Sequence, residues 1–211
     1  ENFIDYYSRN TNFNWNNSKN LEKNFILSIG KNSKTDLNVS NFIIDDQSIY
    51  FINDAFVFSK INLLDGHKTY EIKLDLIIKP DLALPISIAK IDNFFFAGFA
   101  NGLIIKFSET GKIYWKLNFT DLLRTPIKIQ NNNIIVMFNS NRLVSINSEN
   151  GSIIWEYYFA LDKTSSSGGG RIHSKGNILF LIMPNGRIGA IDTIIGEKIE
   201  LDYLSQIQQL N

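Results

Sequence analysis

The chain has 211 residues, with 21 Lys+Arg against 21 Asp+Glu, two His, no Cys and four Pro; 44% of it is hydrophobic and 13% aromatic. This is enough to bury a core, and it excludes the low-hydrophobicity, high-charge profile of a disordered chain. The missing cysteines exclude a disulfide framework and any thiolate zinc or redox motif, and zero net charge argues against a general nucleic-acid binder. The 33 Ile and 26 Asn are read either as strand and turn chemistry or as codon usage in an AT-rich genome.

The chain opens on Glu1 rather than Met, so a signal peptide or lipid-bearing residue removed from upstream is an expectation. No apolar run approaches the roughly 18 residues needed to span a bilayer. Residues 1–23 are Asn-rich with scattered aromatics (Phe3, Tyr6, Tyr7, Phe13, Trp15) and read as an extended arm. The remainder, 24–211, reads as one array of repeats. Its first strand-like stretch is Asn24–Gly30, expected to complete the last sheet of a ring.

Four units follow, at about 38–76, 80–119, 123–160 and 168–201. Each carries a glycine turn, at Gly66, Gly111, Gly151 and, more loosely, Gly196, spaced by 45, 40 and 45 residues. Four residues after each glycine stand Tyr70, Trp115, Trp155 and, breaking the pattern, Glu200. Nine or ten residues before each glycine lies a second turn, at Phe56-Val57, Asn101-Gly102, Asn141-Arg142 and Asn185-Gly186. Features in register over four units make a repeat. Inside a unit the pattern is that of strands. The third reads Ile127 to Ile129, Ile134 to Phe138, Arg142 to Ile146 and Ser152 to Tyr157, separated by Asn, Ser and Gly turns. Four short antiparallel strands in about 40 residues is a propeller blade, so the predicted fold is an all-β propeller. Only Leu201–Leu210 suggests a helix.

Chemistry-bearing residues are sparse. Trp115 and Trp155 stand in repeat register, which points to packing between blades rather than to a cofactor floor. Gly168-Gly169-Gly170-Arg171 lacks the Lys-Ser/Thr and following helix of a phosphate loop and reads as an inter-blade loop. His67 and His173 have no second ligand at metal spacing, Asp45-Asp46 and Asp92 read as solvated turn carboxylates, and Ser165–Ser167 lacks a nucleophile context. No catalytic residue, metal site or cofactor is predicted. The pair Leu123-Arg124 has the composition of an interface anchor, an exposed Leu beside an Arg.

The run Gly111-Lys112-Ile113-Tyr114-Trp115, with Asn150-Gly151-Ser152-Ile153-Ile154-Trp155, resembles the repeat of the pyrroloquinoline-quinone (PQQ)-type propellers. One branch of these comprises PQQ-dependent dehydrogenases, whose usual adjacent cysteines cannot exist here. The other comprises non-catalytic propellers, notably the BamB lipoprotein family of the outer-membrane β-barrel assembly machine. The run Leu123-Arg124-Thr125-Pro126, followed by Leu143 to Asn147 and Gly151 to Trp155, is similar to the middle blades of that second branch. The resemblance implies a scaffold without enzymatic activity or cofactor, at the periplasmic face of the outer membrane, whose partner is a protein subunit of the assembly machinery. It also implies that Leu123 and Arg124 contact the partner, with Asp162 as the remnant of an acidic stretch in the following inter-blade loop. The family's ring has about twice as many blades as this chain displays, so self-association through open ends is a further expectation. A PQQ-dependent dehydrogenase relative and a sugar- or peptide-binding propeller share the fold and stay open as alternatives.

Overall fold

The computed structural model describes residues 41–76, 83–159, 171–182 and 188–199. The arm, the Asn24–Gly30 stretch, Asp162, Ser165–Gly170, Asn185-Gly186, Glu200 and Leu201–Leu210 lie outside the described residues. Among the described residues sixteen strands form four four-stranded antiparallel sheets, each a simple meander in chain order. The first sheet comprises β1 (Ile43–Asp45), β2 (Ser48–Ile52), β3 (Val57–Asn62) and β4 (Lys68–Lys73). The second comprises β5 (Pro85–Ile91), β6 (Phe94–Phe99), β7 (Leu103–Ser108) and β8 (Ile113–Asn118). The third has β9 (Lys128–Gln130), β10 (Asn133–Met137), β11 (Arg142–Asn147) and β12 (Ile153–Tyr158), and the fourth β13 (Arg171–Lys175), β14 (Ile178–Ile182), β15 (Ile188–Asp192) and β16 (Lys198–Ile199). The fold is a β-propeller of stacked blades. Among the described residues there is no helix long and apolar enough to cross a membrane.

Turn chemistry explains why the meanders close where they do. A short hairpin turn needs a residue at positive φ, which Gly, Asn and Asp adopt at least cost. The turn between the first two strands of each blade uses Asp46, Asp92, Asn131 with Asn132, and Gly176. The second turn uses Phe56, Gly102 and Asn141 in the three blades where it is described, and the third uses Gly66, Gly111, Gly151 and Gly196. Phe56 is the exception to the chemistry. A buried aromatic at φ 61° is held there by packing edge-on to Phe99, with ring centroids 5.7 Å apart.

The middle strands are buried on both faces, which is why their sequences run apolar without alternation: Phe94–Phe99 and then Leu103, Ile104 and Ile105 in the second blade, Ile134–Met137 in the third. In the second and third blades one face packs on the blade before and the other on the blade after. Between the first and second blades, Phe58 lies 4.8 Å from Phe95 and 5.0 Å from Phe107, ring centroid to centroid. Phe96, Ile104, Ile134, Val136 and Val144 join the second blade to the third, and Met137, Leu143, Leu179, Leu181 and Ile191 join the third to the fourth. Polar groups reinforce the stacking. The buried Ser87 Oγ accepts the Ile127 backbone N–H at 2.7 Å across one blade boundary. Asp45, expected as a solvated turn carboxylate, instead accepts from Lys90 Nζ on the next blade's inner strand, because equivalent inner strands run side by side.

Outer strands alternate half-buried and exposed positions, as a sheet edge facing water should. All three fully described blades carry a bulge in the outer strand at the same place, leaving Thr69, Tyr114 and Ile154 without a cross-strand partner. At the first blade boundary Glu109 Oε1 accepts from Lys60 Nζ at 2.8 Å and from the Tyr70 hydroxyl at 2.9 Å. Lys60 first, then Tyr70, hold the Glu109 carboxyl below its ordinary pKa; burial, reinforced by Glu109, pushes the Tyr70 phenol up, keeping it a donor. A carboxylate with a lowered folded-state pKa contributes stability that is complete above its unfolded value, about 4.3, and is lost as the pH falls through the folded value. Glu109→Gln is therefore expected to flatten the acid limb of a urea-midpoint titration below about pH 4.5. The effect is reduced by salt because the carboxylate is half exposed. An acid limb identical to the parent's would contradict this.

Candidate docking surface

The inter-blade segment after β8 is laid down by backbone bonds before any side chain acts. The Phe119 N–H donates to the Gly102 carbonyl, Leu123 N–H to Ala100 O, and Arg124 N–H to Met137 O, while Asn139 N–H reaches back to Leu122 O. Leu123 also forms an isolated bridge with Phe138. The segment is thus clamped between the second-turn loops of the second and third blades. Gly102, at φ +87°, lies under it: a β-carbon there would sit 2.2 Å from the Asp121 carbonyl oxygen and 2.6 Å from that of Phe119.

This clamping corrects the expectation for Leu123. Its side chain is 6% exposed and packs into the core between the second and third blades, where it fills the space left by Gly98. A β-carbon at Gly98 would lie 2.6 Å from Leu123 Cδ2. The bridge to Phe138 points Leu123 inward and, by strand alternation, its neighbour Leu122 outward, where it is 53% exposed. The apolar side chain available to a partner is therefore Leu122, which sequence reasoning passed over. Two adjacent leucines give no signal for which one faces water until the register is known.

Arg124 is half-buried beside it. Its Nη1 donates to Asn141 Oδ1 at 2.7 Å, Nη2 to the Asn139 carbonyl at 3.1 Å and Nε to Asn139 Oδ1 at 3.4 Å. All three acceptors are neutral and belong to the β10–β11 turn. A guanidinium has five N–H donors, so among the described residues two are left over, one on each terminal nitrogen, able to donate to a carboxylate. Burial lowers the Arg124 pKa and Asp121 opposes that shift; an arginine stays cationic regardless. Asp121 itself is occupied, accepting from the Ser140 N–H and hydroxyl. Among the described residues Arg124 forms no ion pair. Thr125, next in the chain, is buried, and its hydroxyl has no partner among the described residues. Asp162 lies outside the described residues.

The repeat aromatics occupy a different place. Trp115 lies on the Gly151 turn of the next blade, with Nε1 donating to Ser148 O at 3.3 Å, and Trp155 lies on the Gly196 turn, with Nε1 donating to Thr193 O at 3.0 Å. Tyr70 takes the same post in the first blade, reaching Glu109, while Ile72 covers Gly111. Each tryptophan rides on a glycine because a β-carbon there would press on the ring. His67 and His173 are exposed, and no group of three or more His, Asp or Glu side chains able to hold a metal occurs among the described residues. An open groove lined by Asp75, Lys112, Tyr114, Trp115 and Lys116 runs along the outer rim between the first two blades.

Comparison with solved structures matches this architecture to BamB from Moraxella catarrhalis, with a TM-score of 0.62 and 16% identity over 79% of this chain and 49% of that one. Two computationally designed proteins also match. Ika8 does so with a TM-score of 0.59 and 12% identity over 77% of this chain and 48% of that one. Ika4 does so with a TM-score of 0.57 and 9% identity over 74% of this chain and 91% of that one. At these identities the likeness is one of fold, and the chain spans about half the length of the BamB structure. No curated protein sequence matches it. The family model described as outer membrane protein assembly factor BamB matches residues 86–206, more than half of the 211 residues and both blade boundaries from β5 onward. The chain belongs to that PQQ-type propeller family.

Proposed function

We propose that this chain is a non-catalytic docking scaffold serving β-barrel protein assembly at the periplasmic face of the bacterial outer membrane. Its partner is a protein subunit of the assembly machinery, bound through the loop that carries Leu122 and Arg124. The observation that supports this reading is the state of Arg124. It is a cation fixed in position by three neutral acceptors, with two N–H donors unused among the described residues and an exposed leucine at its side. Such a group is preorganised for a partner carboxylate and loses little side-chain entropy on binding. Leu122 supplies the apolar contact that the sequence assigned to Leu123. Asp162 in the next inter-blade loop is proposed as the acidic contribution to the same surface.

The test is capture of the barrel-inserting subunit's periplasmic region by the immobilised full chain. Arg124→Glu is expected to abolish capture with an unchanged circular dichroism spectrum, and Leu122→Ala to weaken it about tenfold, the scale of one buried apolar anchor. Undiminished capture by the Arg124→Glu chain would refute the site. Stoichiometric uptake of PQQ with calcium would instead refute the non-catalytic reading.

A further inference from the structure

The third blade departs from the repeat where its last two strands meet the docking loop. Aligned on the residue that faces the repeat aromatic, the cross-strand pair there is Val57 with Lys73 in the first blade and Leu103 with Asn118 in the second. In the third blade it is Arg142 with Tyr158. An apolar residue against a solvated polar one is enough to finish a blade. A guanidinium against an aromatic ring, placed beside Leu122 and Arg124, is more than the fold requires.

Arg142 is held in place by aromatic faces and by one carboxylate. Its Cζ lies 5.3 Å from the ring centroid of Phe119 and 5.9 Å from those of Phe138 and Tyr158, cation–π distances to all three. Phe119 and Phe138 pack on each other with centroids 4.7 Å apart, so the second and third blades together make the base on which the guanidinium rests. Arg142 Nε donates to Glu156 Oε2 at 2.7 Å, which balances its charge. Arg124 has no such carboxylate among the described residues.

Tyr158 is 61% exposed, although its ring is backed by the Arg142 guanidinium. A tyrosine turns about two side-chain bonds, so a ring already backed in this way loses little entropy when a partner covers it. One residue joins it to the Arg124 site. Asn141 Oδ1 accepts from Arg124 Nη1 at 2.7 Å, and the Asn141 carbonyl accepts from the N–H of Phe159, next in the chain after Tyr158. Tyrosine and arginine are residue types on which interface energy concentrates.

We propose that Tyr158, positioned by Arg142, is a second anchor of the docking surface. The partner segment that fits is acidic, with a carboxylate for Arg124 and a neighbouring apolar side chain that packs on the Tyr158 ring. The carboxylate fixes orientation, and the apolar side chain supplies the desolvated contact that a rim charge alone does not. This inference rests on the docking role proposed for Arg124 and extends it to β12.

The test uses the immobilised full chain and the periplasmic region of the barrel-inserting subunit. Tyr158→Ala is expected to weaken capture about tenfold, the scale of one interface anchor, with an unchanged urea midpoint. Tyr158→Phe, which keeps the ring, should capture like the parent, and so should Tyr114→Ala, which removes an exposed tyrosine from β8. Salt separates the two anchors. Parent capture should weaken between about 0.1 and about 0.5 M salt. Tyr158→Ala should keep that slope, whereas Arg124→Gln should flatten it. Undiminished capture by Tyr158→Ala, with capture abolished by Arg124→Glu, would overturn the Tyr158 anchor and leave the docking reading standing. A flattened salt slope in Tyr158→Ala would also overturn it, because the ring would then act only by holding Arg124. A loss in Tyr158→Phe or Tyr114→Ala equal to that in Tyr158→Ala would do the same. Undiminished capture by both Arg124→Glu and Tyr158→Ala would overturn the docking reading and this inference together.

Discussion

Replacing Gly102 by alanine is expected to destabilise the protein by about 3 kcal/mol, combining about 1–2 kcal/mol for a left-handed L-residue with about 1–3 kcal/mol for overpacking. The size of the effect comes from what surrounds the site. The β-carbon would meet two backbone carbonyl oxygens, at 2.2 and 2.6 Å, and backbone cannot rotate aside as a side-chain tip can. The segment from Phe119 to Asp121 would have to move outward, weakening the Phe119 N–H bond to Gly102 O and the Leu123 N–H bond to Ala100 O. Because that segment leads directly into Leu122 and Arg124, partner capture should fall along with the urea midpoint. Gly176→Ala is the control. It has the same handedness at φ +56° but nothing within 4 Å of the added carbon, so it should cost only the backbone share. Equal midpoints for the two variants would show that the close approach at Gly102 carries no weight.

Trp155→Ala should cost about 3–5 kcal/mol, the range for removing a buried aromatic side chain. The indole is buried, covers the Gly196 turn and donates to Thr193 O, so it holds the fourth blade to the third through both area and a directed bond. Stacked repeats couple mainly to their nearest neighbours, so the loss should be local. Amide exchange at Leu179–Leu181 should accelerate far more than at Phe95–Ala97. Trp155→Phe, which keeps much of the area and forfeits the hydrogen bond, should cost about 1 kcal/mol plus the lost ring. An alanine variant with unchanged midpoint and exchange would contradict this account of the boundary.

The docking loop shows where sequence reading stopped. The likeness around Leu123-Arg124-Thr125-Pro126 drew attention to the segment and its cation, but it took Leu123 to be exposed, whereas Leu123 is buried and Leu122 faces water. Which of Leu122 and Leu123 faces the core depends on the bridge to Phe138 and on the space over Gly98, both of which lie in other strands. The three neutral acceptors of Arg124 were equally illegible, since Asn139 and Asn141 read only as turn formers. Asp45 was similar: its pairing with Lys90 spans 45 residues and follows from neighbouring inner strands, not from local pattern.

By itself the sequence determined the repeat. Glycines that take positive φ, aromatics four residues later and turn-forming Asn between apolar runs are local requirements of tight hairpins, so the meander and its period are written in neighbouring residues. Tertiary structure alone decided which side of each strand meets a partner. Strands have two faces, and in a propeller both of those on a middle strand are apolar. Only the stacking of one blade on the next determines which residue is buried, which charge is satisfied and which edge is left open.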